Sequence, residues 1–341
     1  MRLIAGLGRF FACGFVLAVL LSAPSLAQQR GSGQEQAQTP PHNLAETWRD
    51  VRSGKEEYTS IKGRETGVLV QTYGETWRQL KNGWVTPIVG WAIALVVVVI
   101  GAFYRWRGPL KVHGAPTGRL IQRFTPFERY VHWVVAITFS ILGVTGLIIM
   151  LGKYVLLPVI GYTLFAWLTQ LSKHLHNFAG PVFVVSLLMF IVMFVKDNLP
   201  RLYDFGWFLK AGGMITGEHV PSGKFNAGEK VWFWIGVVVL SLIVSASGLV
   251  LDFPNFDQVR AVMIEMNVVH AVAAGAVMAI SLGHIYLGSL GLEGAYDAMR
   301  YGYVDEAWAK EHHEYWYNDV KSGKIKAGTA SGQPMSPQVQ H

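Results

Sequence analysis

The chain has 341 residues, 51% of them hydrophobic and only 15% charged, against about 25% charged in soluble globular proteins. Its apolar residues fall in long uncharged runs rather than at period 2 or 3.6, the mark of a membrane protein rather than a soluble enzyme. The formal charge of +7 does not signal nucleic acid, because the basic residues cluster at the ends of apolar runs, as membrane flanks do.

Residues 1–27 carry Arg2 and Arg9, an apolar stretch over 10–21, then Ser25-Leu26-Ala27. A positive start, a short apolar run and small residues at the cut predict a secretory signal peptide. The single cysteine, Cys13, lies inside it. The mature chain is then expected to hold no disulfide, no thiolate-ligated cluster and no covalently attached haem. Residues 28–83 read as an outer segment whose polar start, to Asn43, predicts disorder. Within it Glu46-Thr47-Trp48-Arg49 returns as Glu75-Thr76-Trp77-Arg78, a weak repeat with no mechanism attached.

Five runs are long enough to cross a hydrocarbon core, which takes about 20 residues: 84–104, 130–150, 174–195, 231–251 and 267–290. Signal cleavage puts the start of the mature chain outside, so the first span runs inward. The linker 105–129 then carries Arg105, Arg107, Lys111, Arg119, Arg123 and Arg129, and the loop after the third span is also basic, whereas the loop before the fifth has only Arg260. Both signals place the basic loops and the tail 291–341 in the cytoplasm. The uncharged segment 154–171 is expected to be interfacial or re-entrant, because as a sixth span it would leave connections too short for a helix reversal and would invert the later loops.

Four histidines sit in or at the edges of the uncharged spans. His270 and His284 share the fifth span, 14 residues apart, which is about four turns and roughly 21 Å along one stripe. With five spans, His132 and His284 fall at the inner level, and His176 and His270 at the outer. Polar side chains in a span mark functional sites. Two facing imidazoles leave iron no open position, which favours electron transfer over oxygen chemistry. The pairs therefore point to two six-coordinate haems stacked across the bilayer. Small residues beside them (Gly146, Gly180, Ala273, Gly275) either leave room for a porphyrin or serve close helix packing. His174, two residues from His176, should face away.

Asn226 with Glu229 three residues on reads as a helix cap, or as a polar group that reaches a quinone near the inner site. Arg123 and Arg129 are either positive-inside flanks or partners for haem propionates. His312-His313 in the aromatic tail reads as part of a solvated or packed tail rather than as a metal site. No phosphate-cradling loop, cysteine ligand set or hydrolytic constellation is present, so the chain has no substrate chemistry of its own.

Several motifs follow one another in order: Phe127-Glu128-Arg129-Tyr130-Val131-His132-Trp133, Leu175-His176-Asn177-Phe178-Ala179-Gly180 and Phe225-Asn226-Ala227-Gly228-Glu229-Lys230. His270 and His284 come next, then Trp308-Ala309-Lys310-Glu311-His312-His313. Over about residues 120–320 this series resembles the gamma subunits, or cytochrome b556 subunits, of membrane-bound respiratory formate dehydrogenases. The resemblance implies a four-helix dihaem bundle over 130–290; with the run 84–104 the chain is then expected to be an all-α membrane protein with one additional N-terminal transmembrane helix. It implies two haem b groups held by His132, His176, His270 and His284, and menaquinone or ubiquinone near Asn226 and His284. It further implies an inner-membrane anchor for an iron–sulfur beta subunit and a molybdenum- or tungsten-containing alpha subunit on the periplasmic side, in anaerobic respiration. The signal peptide, outer segment and first span depart from the family's pattern. A cytochrome b anchor for a hydrogenase or thiosulfate-type reductase is the alternative; a haem-free scaffold or proton-relaying transporter is the reading from another class.

Overall fold

The computed structural model describes residues 45–53, 74–256 and 258–331. The expected signal peptide, Cys13 and the polar start of the outer segment lie outside these residues. Helix α1, Ala45–Ser53, carries the first copy of the repeated tetrapeptide, and the second opens the next helix.

Among the described residues, five helices are long and apolar enough to cross a membrane, and the chain is a multi-pass membrane protein. They are α2 (Gly74–Arg107), α3 (Pro126–Val155), α4 (Leu157–Phe194) and, after the short helix α5 (Leu202–Leu209), α6 (Ala227–Asp252) and α7 (Arg260–Gly291). Their starts follow from local chemistry. Thr125 caps α3: its hydroxyl accepts from the Glu128 N–H at 3.2 Å, its own N–H donates to the Glu128 carboxylate, and Pro126 fills the first turn. Asn226 and Glu229 form the same reciprocal cap at the start of α6.

The segment 154–171 is neither a sixth span nor a re-entrant loop. After one helical turn from Leu157, the backbone breaks at Gly161 (φ 74°, ψ 171°), and the helix then runs unbroken to Phe194. Pro158 sits in the first turn, where a missing N–H costs nothing. From residue 162 the helix is about 50 Å long at 1.5 Å per residue, well beyond a hydrocarbon core of about 30 Å. Residues 162–171 are therefore an extension of the third span. They pack on the end of α3, where a Cβ on Gly152 would meet the Phe165 ring at 2.8 Å.

The additional helix α2 lies against α3 and α7. Val85, Val89 and Ile93 are buried against Leu147, Met150, Val268, Ala271 and Met278. The closest approach is at Gly275, where a Cβ would stand 2.7 Å from both methyls of Val89. At this position the small-residue stripe of the fifth span serves helix packing.

The basic linker and the tail, outside the spans, fold together as one cap. Strand β1 (Arg119–Gln122) lies between β2 (Tyr303–Asp305) and β3 (Thr329–Ser331), antiparallel to both. The all-α reading thus holds for the membrane core, with a small sheet added beside it. Helices α8 (Ala295–Tyr301), α9 (Glu306–His312) and α10 (Glu314–Lys321) complete the cap. Asp305 ties linker to tail: its carboxylate accepts from the N–H groups of Thr117, Gly118 and, at the start of α9, Ala307. Ile121, Phe124, Val304, Trp308 and Trp316 share a buried core with Phe194 of α4, so the cap is anchored on the bundle.

Gly275→Val should push α2 off α7, because even a single methyl overlaps Val89. Overpacking of this kind costs about 1–3 kcal/mol, and a lower melting temperature in detergent would register it; an unchanged melt would show that the contact is soft.

Candidate functional site

Three helices bring the four histidines into two facing pairs. His132 of α3 meets His284 of α7 near the cap, with ring centroids 6.4 Å apart. His176 of α4 meets His270 of α7 at the far end, with centroids 6.1 Å apart. The pairing predicted from spacing is the pairing observed. His174 is exposed and takes no part in either pair.

The far pair is oriented by hydrogen bonds. The buried Thr145 hydroxyl donates to the Ile141 carbonyl at 2.7 Å, so it can only accept from His176 Nδ1, 2.9 Å away. Ser247 repeats the device on α6: it donates to Ile243 at 2.7 Å and accepts from His270 Nδ1 at 3.2 Å. His270 Nδ1 also lies 3.1 Å from the Val244 carbonyl, which has no proton to give. Both Nδ1 atoms therefore carry hydrogen, leaving Nε2 as the lone-pair nitrogen of each ring. A glycine follows each hydroxyl residue and admits the ring: a Cβ on Gly146 would lie 3.4 Å from His176 Cε1, and one on Gly248 3.1 Å from His270 Cε1. Thr145, Ser247 and Gly248 went unread in the sequence. The available signal was a hydroxyl–glycine dipeptide in each of two uncharged spans.

The pair near the cap is held differently. His132 Nδ1 is buried without a hydrogen-bond partner among the described residues. His284 stacks on the Trp232 indole at 5.1 Å and 16°. Trp232 opens a π-helical stretch, Trp232–Leu240, and such stretches concentrate at functional sites. Gly236 allows the stack, because a Cβ there would fall 2.2 Å from the Trp232 ring.

Beside this pair lies a cavity of about 1700 Å³, lined by His132, His284, Trp232, Asn226 and Arg123 and reaching His312 in the cap. Drug-sized ligand pockets span about 300–1,000 Å³, so the space exceeds one such ligand. His284 is exposed and lines this cavity. Asn226 uses its Oδ1 in the cap of α6, accepting from Glu229 N–H at 2.9 Å. Asn226 also lines the cavity, so the two readings of Asn226 are compatible.

The chain is similar to known proteins. Residues 123–301 match the family model of prokaryotic cytochrome b561, which takes in all four histidines and Asn226. The chain belongs to this cytochrome family. It is 31% identical over 204 residues to the formate dehydrogenase cytochrome b556(fdo) subunit of Escherichia coli (strain K12), covering 59% of this chain and 93% of that relative. It is 27% identical to the nitrate-inducible formate dehydrogenase cytochrome b556(Fdn) subunit of the same strain, over 63% of this chain and 98% of that one. The Haemophilus influenzae cytochrome b556 subunit follows at 25%, over 61% and 86%. These relatives support the gamma-subunit resemblance read from the motifs. Helix α2 lies outside the cytochrome b561 match.

A b-type cytochrome implies b-type haem, and the residues present fit it. A metal–imidazole bond of about 2 Å on each side, plus the depth of each ring, separates two centroids by about 6 Å across one metal, the separation seen in both pairs. The open cavity beside the His132/His284 pair adds to the fit. Arg129 is engaged at the end of α8. Its guanidinium donates to the carbonyls of Met299, Arg300 and Tyr301 and closes the end of α8. Arg123 remains on the cavity wall, donating through Nη2 to the Lys224 carbonyl (2.8 Å) and Glu229 (3.2 Å), with Nε buried and unpartnered. Burial lowers its pKa, against the pull of Glu229.

In the cap, His313 Nδ1 donates to the Gly223 carbonyl at 2.7 Å, and His312 Nε2 is buried without a partner. Burial holds His312 at about pH 4 and drives His313 well below the ordinary value, which is about 6.5 for free histidine. Between pH 6.5 and about 4 the unfolded cap binds protons that the folded cap refuses, so its stability is present above 6.5 and lost on acidification. Limited proteolysis within 306–321 should accelerate across that window, and His312→Asn should flatten the response. Cleavage independent of pH would show that the buried histidines do not govern the cap.

Proposed function

We propose that this chain is the dihaem membrane-anchor subunit of a formate dehydrogenase, in which His176 and His270 hold one b-type haem and His132 and His284 a second. The observation that carries the reading is the pair of imidazole contacts at 6.1 and 6.4 Å on helices whose sequence is related to formate dehydrogenase cytochrome b556 subunits. Bound there, the haems would supply two one-electron carriers at levels roughly 21 Å apart along α7. Positive-inside charge puts the cap in the cytoplasm and the His176/His270 end at the periplasmic face of the inner membrane. At that face an iron–sulfur partner with its formate-oxidising subunit would dock, and quinone would be reduced at the cytoplasmic side.

The chain's own groups divide the work. Thr145, Ser247 and Val244 fix the imidazoles of the periplasmic pair, and Trp232 fixes His284. Asn226, which lines the cavity with His284, would donate through its amide to a quinone carbonyl. Each quinone takes two electrons and two protons, its two carbonyl oxygens becoming hydroxyls.

Two experiments test this. The dithionite-reduced protein should show b-type absorption at two haems per chain; His132→Ala or His284→Ala, and separately His176→Ala or His270→Ala, should each remove one haem, with His174→Ala neutral. No b-type band, or a larger loss from His174, overturns the ligand assignment. Asn226→Asp keeps the cap acceptor but has no amide donor, so it should preserve folding and haem content while slowing formate-to-quinone turnover by about tenfold, the worth of one hydrogen bond. Unchanged turnover would leave Asn226 as a cap alone. Copurification of a catalytic subunit other than formate dehydrogenase would redirect the electron source.

A further inference from the structure

We infer that the two histidine levels are built for different reduction potentials, with Thr145 and Ser247 holding the His176/His270 level below the His132/His284 level. The inference rests on the dihaem reading above and goes beyond it, because it names the residues of this chain that would set the two potentials apart.

The asymmetry lies in the groups behind the ligands. At the far level both Nδ1–H groups donate: His176 to Thr145 Oγ1 at 2.9 Å, and His270 to Ser247 Oγ at 3.2 Å and to the Val244 carbonyl at 3.1 Å. Neither hydroxyl can reverse its role, because each spends its proton on a helix carbonyl 2.7 Å away. Donation from Nδ1 makes Nε2 a stronger base, and a more basic axial ligand favours the oxidised metal and lowers its potential. At the cap level that support is missing. His132 Nδ1 is buried with no partner, and His284 is positioned by ring stacking on Trp232 rather than by a hydrogen bond. Its ligands are therefore the weaker bases, and its metal favours the reduced state. Electrons that enter at the far end then run towards the cap energetically downhill.

Thr145 and Ser247 are positioning residues, since they act through His176 and His270. Their test is a potentiometric titration of the purified complex, following the b-type band. The wild type should show two resolved potentials. Thr145→Val keeps the shape and removes the hydroxyl acceptor, leaving the Leu142 carbonyl to His176, so the lower potential should rise by up to about 59 mV, the one-electron equivalent of a tenfold change. Thr145→Ser should restore the wild-type value. Ser247→Ala should raise the lower potential by less, because the Val244 carbonyl still accepts from His270, and it tests the inference on a second helix should Thr145→Val lose haem. The upper potential should not move in any variant. Two haems with a single shared potential, or a lower potential unmoved in both variants with haem content intact, would overturn the inference while leaving the dihaem reading in place. Absence of b-type absorption from the wild type would instead remove that reading itself.

Discussion

Everything in this bundle is organised by a separation: two imidazoles on different helices, facing each other with centroids about 6 Å apart, twice over. Helices packed on small residues alone would close that gap, since close backbone approach is how membrane helices gain contact energy. Here the rings hold space open on one side of α7, while α2 presses directly onto Gly275 on another. One helix therefore carries both tasks. Its histidines recur every four turns on the cofactor stripe, and its small residues take up close packing elsewhere.

Holding space open has a cost that the surrounding residues absorb. A ring that projects from one helix must pass the wall of its neighbour, and Gly146 and Gly248 supply the missing side chains. A buried imidazole also needs a partner for its second nitrogen, since an unpaired buried polar group costs about 1–3 kcal/mol. Thr145, Ser247 and Val244 meet that need at the far pair. Near the cap the π stretch of α6 swings Trp232 onto His284 instead, with Ser241 accepting the altered register by donating to the Gly236 carbonyl. The two levels are thus different solutions to one packing problem.

What could be read from the chain follows the range of the interactions. The pairing of the histidines was legible because helix periodicity converts 14 residues into depth. The Asn226 cap was legible because both partners lie within four residues. Thr145 and Ser247 were not, because a hydroxyl in a span bonds its own helix backbone by default. Only the register between α3 and α4, and between α6 and α7, turns them towards a ring. The three short strands were hidden for a similar reason, since β1 finds partners more than 180 residues away. The segment 154–171 was misjudged because Lys173 and His174 look like the edge of a span. Beyond the hydrocarbon a helix has no reason to stop at a charge, and this one continues to Gly161.

The cap shows why the linker and tail belong to the same functional unit as the spans. Arg123 follows β1, stands 5.2 Å from the Trp308 ring of α9, and bonds Glu229 in the first turn of α6. A single guanidinium thus joins the sheet, the tail and the helix that carries Trp232. Trp232 in turn sets the plane of His284. Movement of the cap would therefore be transmitted to the nearer histidine pair through two contacts, whereas the far pair is oriented by hydroxyls within the membrane and is insulated from it. The cavity between cap and bundle is consequently shaped by the linker, the cap-side ends of α3, α4, α6 and α7, and the tail to Glu314, so the tail packs against the bundle.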